Sequence, residues 1–277
     1  MTPRRERKRF FELAGDFVPY VVAERKGQLF LVATGDPTHR NLFLRDTSKE
    51  RVVLKGALRA LEAAGAPVSL TTLVDIGANT GTATLAALAA GFRSVVACEP
   101  GPISFKLLRA GLVLNEVDGS VRPVEVALSN RSGIGVLDIK SRSRKARLLA
   151  HPDEVVRERH VQVRLAPLDD LLAEIRLDPR DVGMIFMDVE GHECHVLEGA
   201  NRLLEIGVPT IMELQPRLLR LAGKLDDFAG LLPRHYTHLL DLRGKSARGF
   251  RPAEDVRSLI DEVGDGATDI LACRFDD

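Results

Sequence analysis

The sequence contains no tryptophan, only two tyrosines and only three cysteines. So few aromatic side chains leave little to stack on unpaired bases, which disfavours a protein that reads single-stranded nucleic acid. The cysteines, Cys98, Cys194 and Cys273, are far apart and odd in number, unlike the paired cysteines of a zinc site or a disulfide framework. We therefore expect a protein of a reducing compartment.

Net charge and long apolar segments are also missing. Lysine and arginine number 39, as do aspartate and glutamate, so no overall field attracts nucleic acid or an anionic membrane. The longest apolar stretch, residues 83–92, is about half of the ~20 residues that a membrane span needs. The basic first nine residues lead into Glu12 and Asp16 and not into the apolar run of a signal peptide. These absences predict a cytoplasmic protein without membrane partners.

Strand and helix patterns alternate along the middle of the chain. The predicted strands are residues 72–76, 94–98, 121–127, 182–187 and 209–214, and the predicted helices are 82–90, 103–115, 168–175 and 191–206. Such alternation predicts a parallel sheet covered by helices on both faces. Residues 235–242 and 267–274 suit two last strands at an antiparallel edge. The predicted fold is a doubly wound, Rossmann-like α/β domain.

The chain divides into two predicted regions. Residues 1–70 form an N-terminal extension with a strand and a helix that packs on the core, and residues 71–277 form the main domain. Segments 134–139 and 160–165 alternate apolar and polar residues, which predicts an antiparallel pair around an insert at about 134–165. The basic residues of the insert either form a solvated loop or clamp a phosphate or carboxylate of a substrate, and they are Lys140, Arg142, Arg144, Lys145 and Arg147.

The strongest local signal is the turn between the first predicted strand and helix of the main domain. Gly77 and Gly81 allow a tight turn and the close approach of a ligand. Asp75 would repel a pyrophosphate, but a carboxylate there suits a ligand with a sulfonium and an α-amino group, S-adenosylmethionine. Glu99 ends the next strand and can accept hydrogen bonds from both ribose hydroxyls. The alternative is that Asp75 and Glu99 only cap a turn and a helix.

Further motifs follow this turn in order. They are Glu99-Pro100, the segment 107–115, Ala127-Leu-Ser129, Met187-Asp-Val-Glu-Gly-His-Glu193, the segment 196–200 and Pro209-Thr-Ile-Met-Glu213. Together they resemble the FkbM-type methyltransferase family. The resemblance implies a class I methyltransferase fold with a seven-stranded sheet whose last strand is antiparallel, and usually O-methylation of sugars or polyketide-type hydroxyls. Two positions depart from the family pattern, Met187, where lysine is common, and His192, where a small residue is usual.

The resemblance also implies the residues of a cofactor site. Carried onto this sequence, they are Asp75, Gly77, Asn79, Gly81 and Glu99, with Asn115 and Ser129 as further candidates. The cofactor is S-adenosyl-L-methionine.

The acidic motif at residues 188–193 follows a buried-looking strand and so lies at the carboxyl edge of the sheet, where ligands bind. Methylation of an alcohol needs alignment of the reacting atoms and a base for the hydroxyl proton. His192 and His195 are the natural bases near pH 7, and Asp188 or Glu190 could act instead if burial raises its pKa. We favour His192, which lies in the first turn of the predicted helix. A hydrogen-bonded surface histidine is the structural alternative for His192. His195, Arg142 and Arg144 are candidate substrate contacts.

Glu213 ends the next strand, where it binds an acceptor hydroxyl, holds the Asp188 loop or caps a helix. A divalent metal held by Asp188, Glu190, His192 and His195 is a further alternative. We do not favour it, because the two histidines are three residues apart and not four as in the H-E-x-x-H motif. No metal ligand is assigned.

The leading function is S-adenosylmethionine-dependent O-methylation of a hydroxyl on a sugar or natural product. The alternatives are an RNA or protein methyltransferase that uses the basic insert, and a non-catalytic module that binds the cofactor. The expected partner is a small hydroxylated substrate, and nucleic acid is not favoured. The oligomeric state stays open, with a homodimer as one option.

Overall fold

The computed structural model describes residues 3–34, 36–45, 47–139, 146–149, 160–243 and 249–275. The helices are α1 (Pro3–Ala14), α2 (Pro37–Leu44), α3 (Lys49–Ala63), α4 (Thr82–Ala90), α5 (Pro102–Leu114), α6 (Leu168–Glu174), α7 (Glu193–Glu198), α8 (Asn201–Glu205), α9 (Pro216–Leu221), α10 (Leu225–His235) and α11 (Val256–Val263). The strands are β1 (Tyr20–Arg25), β2 (Gln28–Ala33), β3 (Thr72–Ile76), β4 (Ser94–Cys98), β5 (Val121–Val124), β6 (Ala127–Leu128), β7 (Gly133–Ile139), β8 (Ala146–Leu148), β9 (His160–Ala166), β10 (Val182–Met187), β11 (Thr210–Leu214), β12 (His238–Asp241), β13 (Arg251–Pro252) and β14 (Thr268–Cys273).

The large sheet has the strand order β13-β12-β14-β11-β10-β3-β4-β5. The five strands from β11 to β5 are parallel, and the last strand, β14, runs antiparallel between β11 and β12. The prediction of a mostly parallel sheet whose last strand is antiparallel is therefore confirmed. The sheet has eight strands and not seven, because the two-residue β13 adds an antiparallel pairing to β12 at the edge.

Helices cover both faces of this sheet, as predicted. The central strands β3 and β10 are buried along their whole length, because a parallel sheet between two helical layers meets no solvent. Successive side chains point to opposite layers. Leu73 and Met184 pack with α3, α4 and α5, whereas Val74 and Ile185 pack with α6 to α8, α10 and α11.

A second sheet of order β6-β9-β7-β8 lies beside the first. The predicted antiparallel pair is present as β7 and β9, and β8 extends it. The prediction of one strand at 121–127 is wrong, because the chain changes sheets within it. Residues 121–124 pair with β4, whereas Ala127 and Leu128 pair with Leu165 and Ala166 of β9.

The predicted helix at 191–206 is two short helices, α7 and α8, with the break at Gly199. A side chain at Gly199 would place its Cβ 2.2 Å from the carbonyl oxygen of Ser129. The Gly199 carbonyl accepts a hydrogen bond from the amide of Asp169 at 3.1 Å. The β6–β7 connection and α6 therefore occupy the space that a continuous helix would need.

The N-terminal region contains α1, the β1–β2 hairpin, α2 and α3. Its apolar side chains, including Phe11, Phe30 and Phe43, form a cluster with Leu85 of α4. Asn115 at the end of α5 bonds both the amide and the carbonyl of Leu29 in β2, at 2.8 and 2.7 Å. These contacts hold the region against the helices that follow β3 and β4. None of the described helices combines the length and apolarity needed to cross a membrane.

Candidate active site

The loop from β3 to α4 lies against two neighbouring strand ends. The amides of Gly77 and Ala78 both donate to the carbonyl of Cys98 at the end of β4, at 2.9 and 3.0 Å. Gly77 has a φ of +83°, and a Cβ there would lie 2.1 Å from the carbonyl oxygen of Asp188. Only glycine allows this approach, so the ends of β3, β4 and β10 converge.

Asp75 is the acidic side chain at the end of β3. It is 1% exposed and accepts a hydrogen bond from the Thr84 hydroxyl of α4 at 2.5 Å. Burial raises the pKa of Asp75 to about 7, the hydrogen bond from Thr84 opposes this rise, and the charge of Glu50 adds to it. A cation next to Asp75 would favour its ionised form.

Glu99 lies across the same loop, at the end of β4. Its carboxylate oxygens accept the amide protons of Gly101 and Asn79, at 2.7 and 2.8 Å. Burial raises the pKa of Glu99 to about 7 against the effect of these two bonds. Since each carboxylate oxygen has a second lone pair, Glu99 can still accept a ligand hydroxyl. Within the described residues, the buried Oδ1 of Asn79 has no hydrogen-bond partner, so it also offers an acceptor.

These side chains border a crevice that we call the loop crevice. Its described lining residues are Glu50, Asp75, Ile76, Gly77, Ala78, Asn79, Thr82, Ala83, Glu99, Pro100, Val126, Ala127, Leu128, Leu137, Leu148, Phe186, Asp188, Val189, Glu190 and His192. The predicted cofactor residues Asp75, Gly77, Asn79 and Glu99 thus meet at one cavity. Gly81 lies behind it, at the start of α4, with a φ of +93°.

A second crevice, the insert crevice, lies beside the first and is walled by the small sheet and α9. Its described lining residues are Ser129, Asn130, Arg131, Ile134, Gly135, Val136, Arg147, Leu148, Leu149, Leu165, Glu190, Gly191, His192, His195, Leu218, Leu221 and Ala222. The two crevices share Leu148, Glu190 and His192. A molecule in one crevice therefore borders a molecule in the other.

The acidic motif forms the junction between the crevices. The amide of Asp188 donates to the carbonyl of Ile76 at 3.0 Å, which holds the β10 loop beside the β3 loop. Glu190 and Gly191 both have positive φ, +52° and +96°. A Cβ on Gly191 would lie 2.8 Å from Leu218, so the turn packs closely against α9. This turn places Asp188 in the loop crevice, and Glu190 and His192 where the crevices meet.

His192 is held from two sides. Its Nε2 lies 3.0 Å from the Ser129 hydroxyl, and its ring stacks on that of His195 with centroids 4.3 Å apart. Burial lowers the pKa of His192 to about 3, and the charges of His195 and Arg131 lower it further. Burial likewise lowers the pKa of His195. His192 is therefore neutral near pH 7, with a ring nitrogen that can accept a hydrogen bond.

Other predicted site residues lie elsewhere. The Asn115 amide is bonded to Leu29 and lines neither crevice, and Ser129 lines the insert crevice and not the loop crevice. Arg142 and Arg144 lie outside the residues that the structure describes. Glu213 lines neither crevice, because its carboxylate contacts Lys49, Arg243 and Gln215.

One group of three acids could approach a metal ion. Among the described residues, carboxylate oxygens of Asp188, Glu190 and Glu213 lie within 4.8 Å of one another. Glu213, however, already pairs with Lys49 and Arg243, which lower its pKa to about 2. The side chains of Lys49 and Arg243 therefore already provide positive charge beside these three acids. His192 and His195, which the sequence offered as metal ligands, do not belong to this group of acids.

The sequence patterns did not predict several residues of the site. Glu50 reaches the loop crevice from α3, in the N-terminal region, and no local pattern places it there. Thr84 lies one helical turn after Gly81. A polar residue at this position of α4 faces the end of β3, and this spacing could have predicted its contact with Asp75. Arg131 lines the insert crevice, but it lies before the basic residues 140–147 from which the sequence predicted substrate contacts.

Comparisons with known proteins give the following similarities. No curated protein sequence matches this chain. A precorrin-6y C5,15-methyltransferase from Geobacter metallireducens is 14% identical, with 83% of this chain and 93% of that chain covered and a TM-score of 0.44. TYW2 from M. jannaschii, crystallised with AdoMet, is 10% identical, with 93% and 87% covered and a TM-score of 0.42.

The family comparison covers all the described lining residues of both crevices except Glu50. The model of the methyltransferase FkbM domain matches residues 75–251, which is well over half of the chain. The matched region begins at Asp75 of the β3 loop and includes the acidic motif. The family predicted from the motifs is thus confirmed, and the chain belongs to the FkbM methyltransferase family.

Proposed function

We propose that this protein transfers a methyl group from S-adenosylmethionine to a hydroxyl of a small molecule. The cofactor binds in the loop crevice and the acceptor binds in the insert crevice. The observation that supports this most strongly is that the two crevices meet at Glu190 and His192. A donor and an acceptor could therefore face each other across side chains that accept hydrogen bonds.

The loop crevice suits the chemical groups of the cofactor. Asp75 would hold the cationic α-amino end, because a buried carboxylate gains strongly from a nearby positive charge. Glu99 would accept ribose hydroxyls with its remaining lone pairs, and Asn79 Oδ1 would accept a further hydrogen bond. Bound S-adenosylmethionine would supply a methyl group on a positively charged sulfur.

The junction suits a hydroxyl as the methyl acceptor. His192 is neutral near pH 7, and the Ser129 hydroxyl and the His195 ring fix its orientation. It can accept the hydroxyl proton in a hydrogen bond without first losing a proton of its own. Glu190 lies at the same junction, and its carboxylate can take the proton as the oxygen loses it. Holding the acceptor in line can lower the barrier by several kcal/mol out of the ~7 to 11 kcal/mol that orientation supplies.

Binding of S-adenosylhomocysteine tests the cofactor site. Calorimetry should show binding to the parent protein, and Asp75→Asn should weaken it by about tenfold or more, because the amide cannot offer a charge to the α-amino group. Asp261→Asn, an exposed position of α11, is the matched control and should bind as the parent does. A parent protein that does not bind the ligand would overturn the proposal.

Turnover tests the acceptor. Transfer of a labelled methyl group to a panel of small hydroxylated compounds should depend on the acidic motif, and Glu190→Gln, at the junction of the crevices, should reduce turnover by more than it weakens cofactor binding. Methylation of RNA or protein, with none of small molecules, would instead favour the macromolecular alternative. Cofactor binding without any turnover would favour a binding module.

A further inference from the structure

We infer that the acceptor is an amphipathic acid, with an aliphatic body in the insert crevice and a carboxylate or phosphate bound by Arg131 and Arg147. This inference rests on the proposed function, and it concerns the substrate class of the same site. It joins three features of the insert crevice: its apolar walls, its two arginines and its junction with the loop crevice.

Aliphatic side chains form one continuous part of the lining of the insert crevice. Val136 and Leu165 come from the small sheet, Leu149 directly follows β8, and Leu218 and Leu221 come from α9. No phenylalanine, tyrosine or tryptophan is among the described lining residues. A hydroxyl placed against these aliphatic side chains would lose water without gaining a partner, which costs about 1–3 kcal/mol for each unsatisfied group. This part of the crevice therefore favours a hydrocarbon portion of the acceptor.

Two apolar side chains that line the crevice are also exposed to solvent. Ile134 on β7 is 62% exposed and Leu221 on α9 is 63% exposed. They come from different elements, one from the small sheet and the other from a helix of the main domain. An apolar ligand between them would cover both, which fits an acceptor that enters between the small sheet and α9.

Positive charge accompanies these walls. Arg131 immediately precedes β7 on the chain, and Arg147 lies in β8. In the part of the chain that the structure describes, neither arginine forms an ion pair, and Glu190 at the junction is the one acid among the lining residues. Arginine binds carboxylates and phosphates through paired N–H groups. An anion of the ligand would supply the missing partner.

The position of Arg131 relates the anion to the reacting hydroxyl. Arg131, His192 and His195 line the same crevice. An acid bound to Arg131 would therefore direct another part of the same molecule toward His192. The acceptor hydroxyl and the anionic group would lie on one small skeleton.

Paired probes test this inference. Binding of 3-hydroxyoctanoate, 4-hydroxycyclohexanecarboxylate and the primary amide of each would be measured by calorimetry on protein saturated with S-adenosylhomocysteine. At least one acid should bind about tenfold more tightly than its amide, because a charge-assisted bond to arginine replaces a neutral one. Binding of octyl phosphate, which has an eight-carbon chain like 3-hydroxyoctanoate, shows whether a phosphate can replace the carboxylate.

Arg131→Gln should reduce the preference for acid over amide to about twofold, as expected when the charged donor is lost. Arg109→Gln, on the exposed face of α5 and outside both crevices, is the matched control and should keep the full preference. Unchanged binding of S-adenosylhomocysteine by Arg131→Gln would show that this variant is folded.

Equal binding of acids and amides, no binding of any probe, or an unchanged preference in Arg131→Gln would overturn the inference. These results leave the proposed function intact as long as S-adenosylhomocysteine binds and depends on Asp75. Loss of cofactor binding in the parent would overturn the proposed function, whatever the acids do.

Discussion

The hydroxyl of Ser129 lies 3.0 Å from Nε2 of His192, which links the end of β6 to the start of α7. The two residues are far apart in the sequence. They meet because the chain leaves the large sheet after β5 and enters the small sheet at β6, directly before Ser129. It positions a neutral imidazole where the two crevices meet. The contact therefore ties the orientation of a candidate catalytic side chain to the small sheet.

Ser129→Ala should lower kcat by about tenfold, because a side chain that loses its orienting hydrogen bond reaches the reactive geometry less often. The affinity for S-adenosylhomocysteine should not change, since Ser129 does not line the loop crevice. Steady-state kinetics and calorimetry would measure the two quantities. Ser132→Ala, which removes an exposed hydroxyl near Asp170, is the control. Equal kcat in both variants would contradict a positioning role.

Cofactor affinity should rise with pH. Burial raises the pKa of Asp75 and of Glu99 to about 7, so both carboxyls are largely protonated below this pH. Only the ionised forms attract an α-amino cation or accept two ribose protons. The dissociation constant of S-adenosylhomocysteine should fall by about tenfold between pH 6 and 8. Calorimetry across this range measures it, and Asp75→Asn should flatten the profile. A constant that rises with pH would contradict the prediction.

Glu193→Gln should stabilise the protein at alkaline pH. Glu193 is fully buried, its Oε1 accepts the amide proton of Gly191 at 3.2 Å, and burial raises its pKa to about 7. The folded pKa exceeds the unfolded one of ~4.3, so the stability that the proton contributes is complete below that pH and is lost as the pH rises through 7. Glutamine keeps an acceptor for Gly191 but cannot ionise.

The gain from Glu193→Gln should be about 3–4 kcal/mol at pH 8 and near zero at pH 4. Urea unfolding at the two pH values measures the free energy of unfolding. Glu62→Gln, at an exposed position of α3, should show no such pH-dependent gain. A gain of equal size at both pH values would show that the charge of Glu193 is not the cause.

Lys49→Met should destabilise the attachment of α3. Lys49 Nζ lies 2.8 Å from Glu213 and 3.2 Å from Asp269, at the ends of β11 and β14. Arg243 contacts the same two acids, so the loss is partial and we expect about 1–3 kcal/mol. Thermal unfolding measures it, with the exposed Lys55→Met on the same helix as control. The same midpoint for both variants would contradict the prediction.

Local sequence was sufficient for the loop and for the strand ends. Asp75 and Glu99 end apolar strands, and Gly77 and Gly81 allow the positive φ of the turn between β3 and α4. Since parallel strands end at one edge of a sheet, a correct strand assignment already predicts that these side chains lie close together. The motif at 188–193 follows β10 for the same reason. The family resemblance depended on these same short segments.

Long-range packing decided what the local pattern could not. α7 ends at Gly199, where the carbonyl of Ser129 leaves no room for a side chain, and no helical periodicity contains that information. Asn115 has a polar side chain of the kind that binds ligands, but its amide group forms hydrogen bonds with Leu29 of the β1–β2 hairpin. Glu213 was predicted to contact the acceptor, but its carboxylate forms ion pairs with Lys49 from α3 and with Arg243.

The sequence by itself determined the parallel sheet, the glycine turn and the two acids at adjacent strand ends, because hydrophobic periodicity and backbone freedom act over a few residues. The tertiary structure alone decided that a second crevice opens beside the first, with Arg131, His192 and Glu190 along it. That crevice depends on a small sheet formed after the chain leaves β5 and on a helix, α9, that follows β11. Contacts between segments so far apart along the chain are set by how the layers pack.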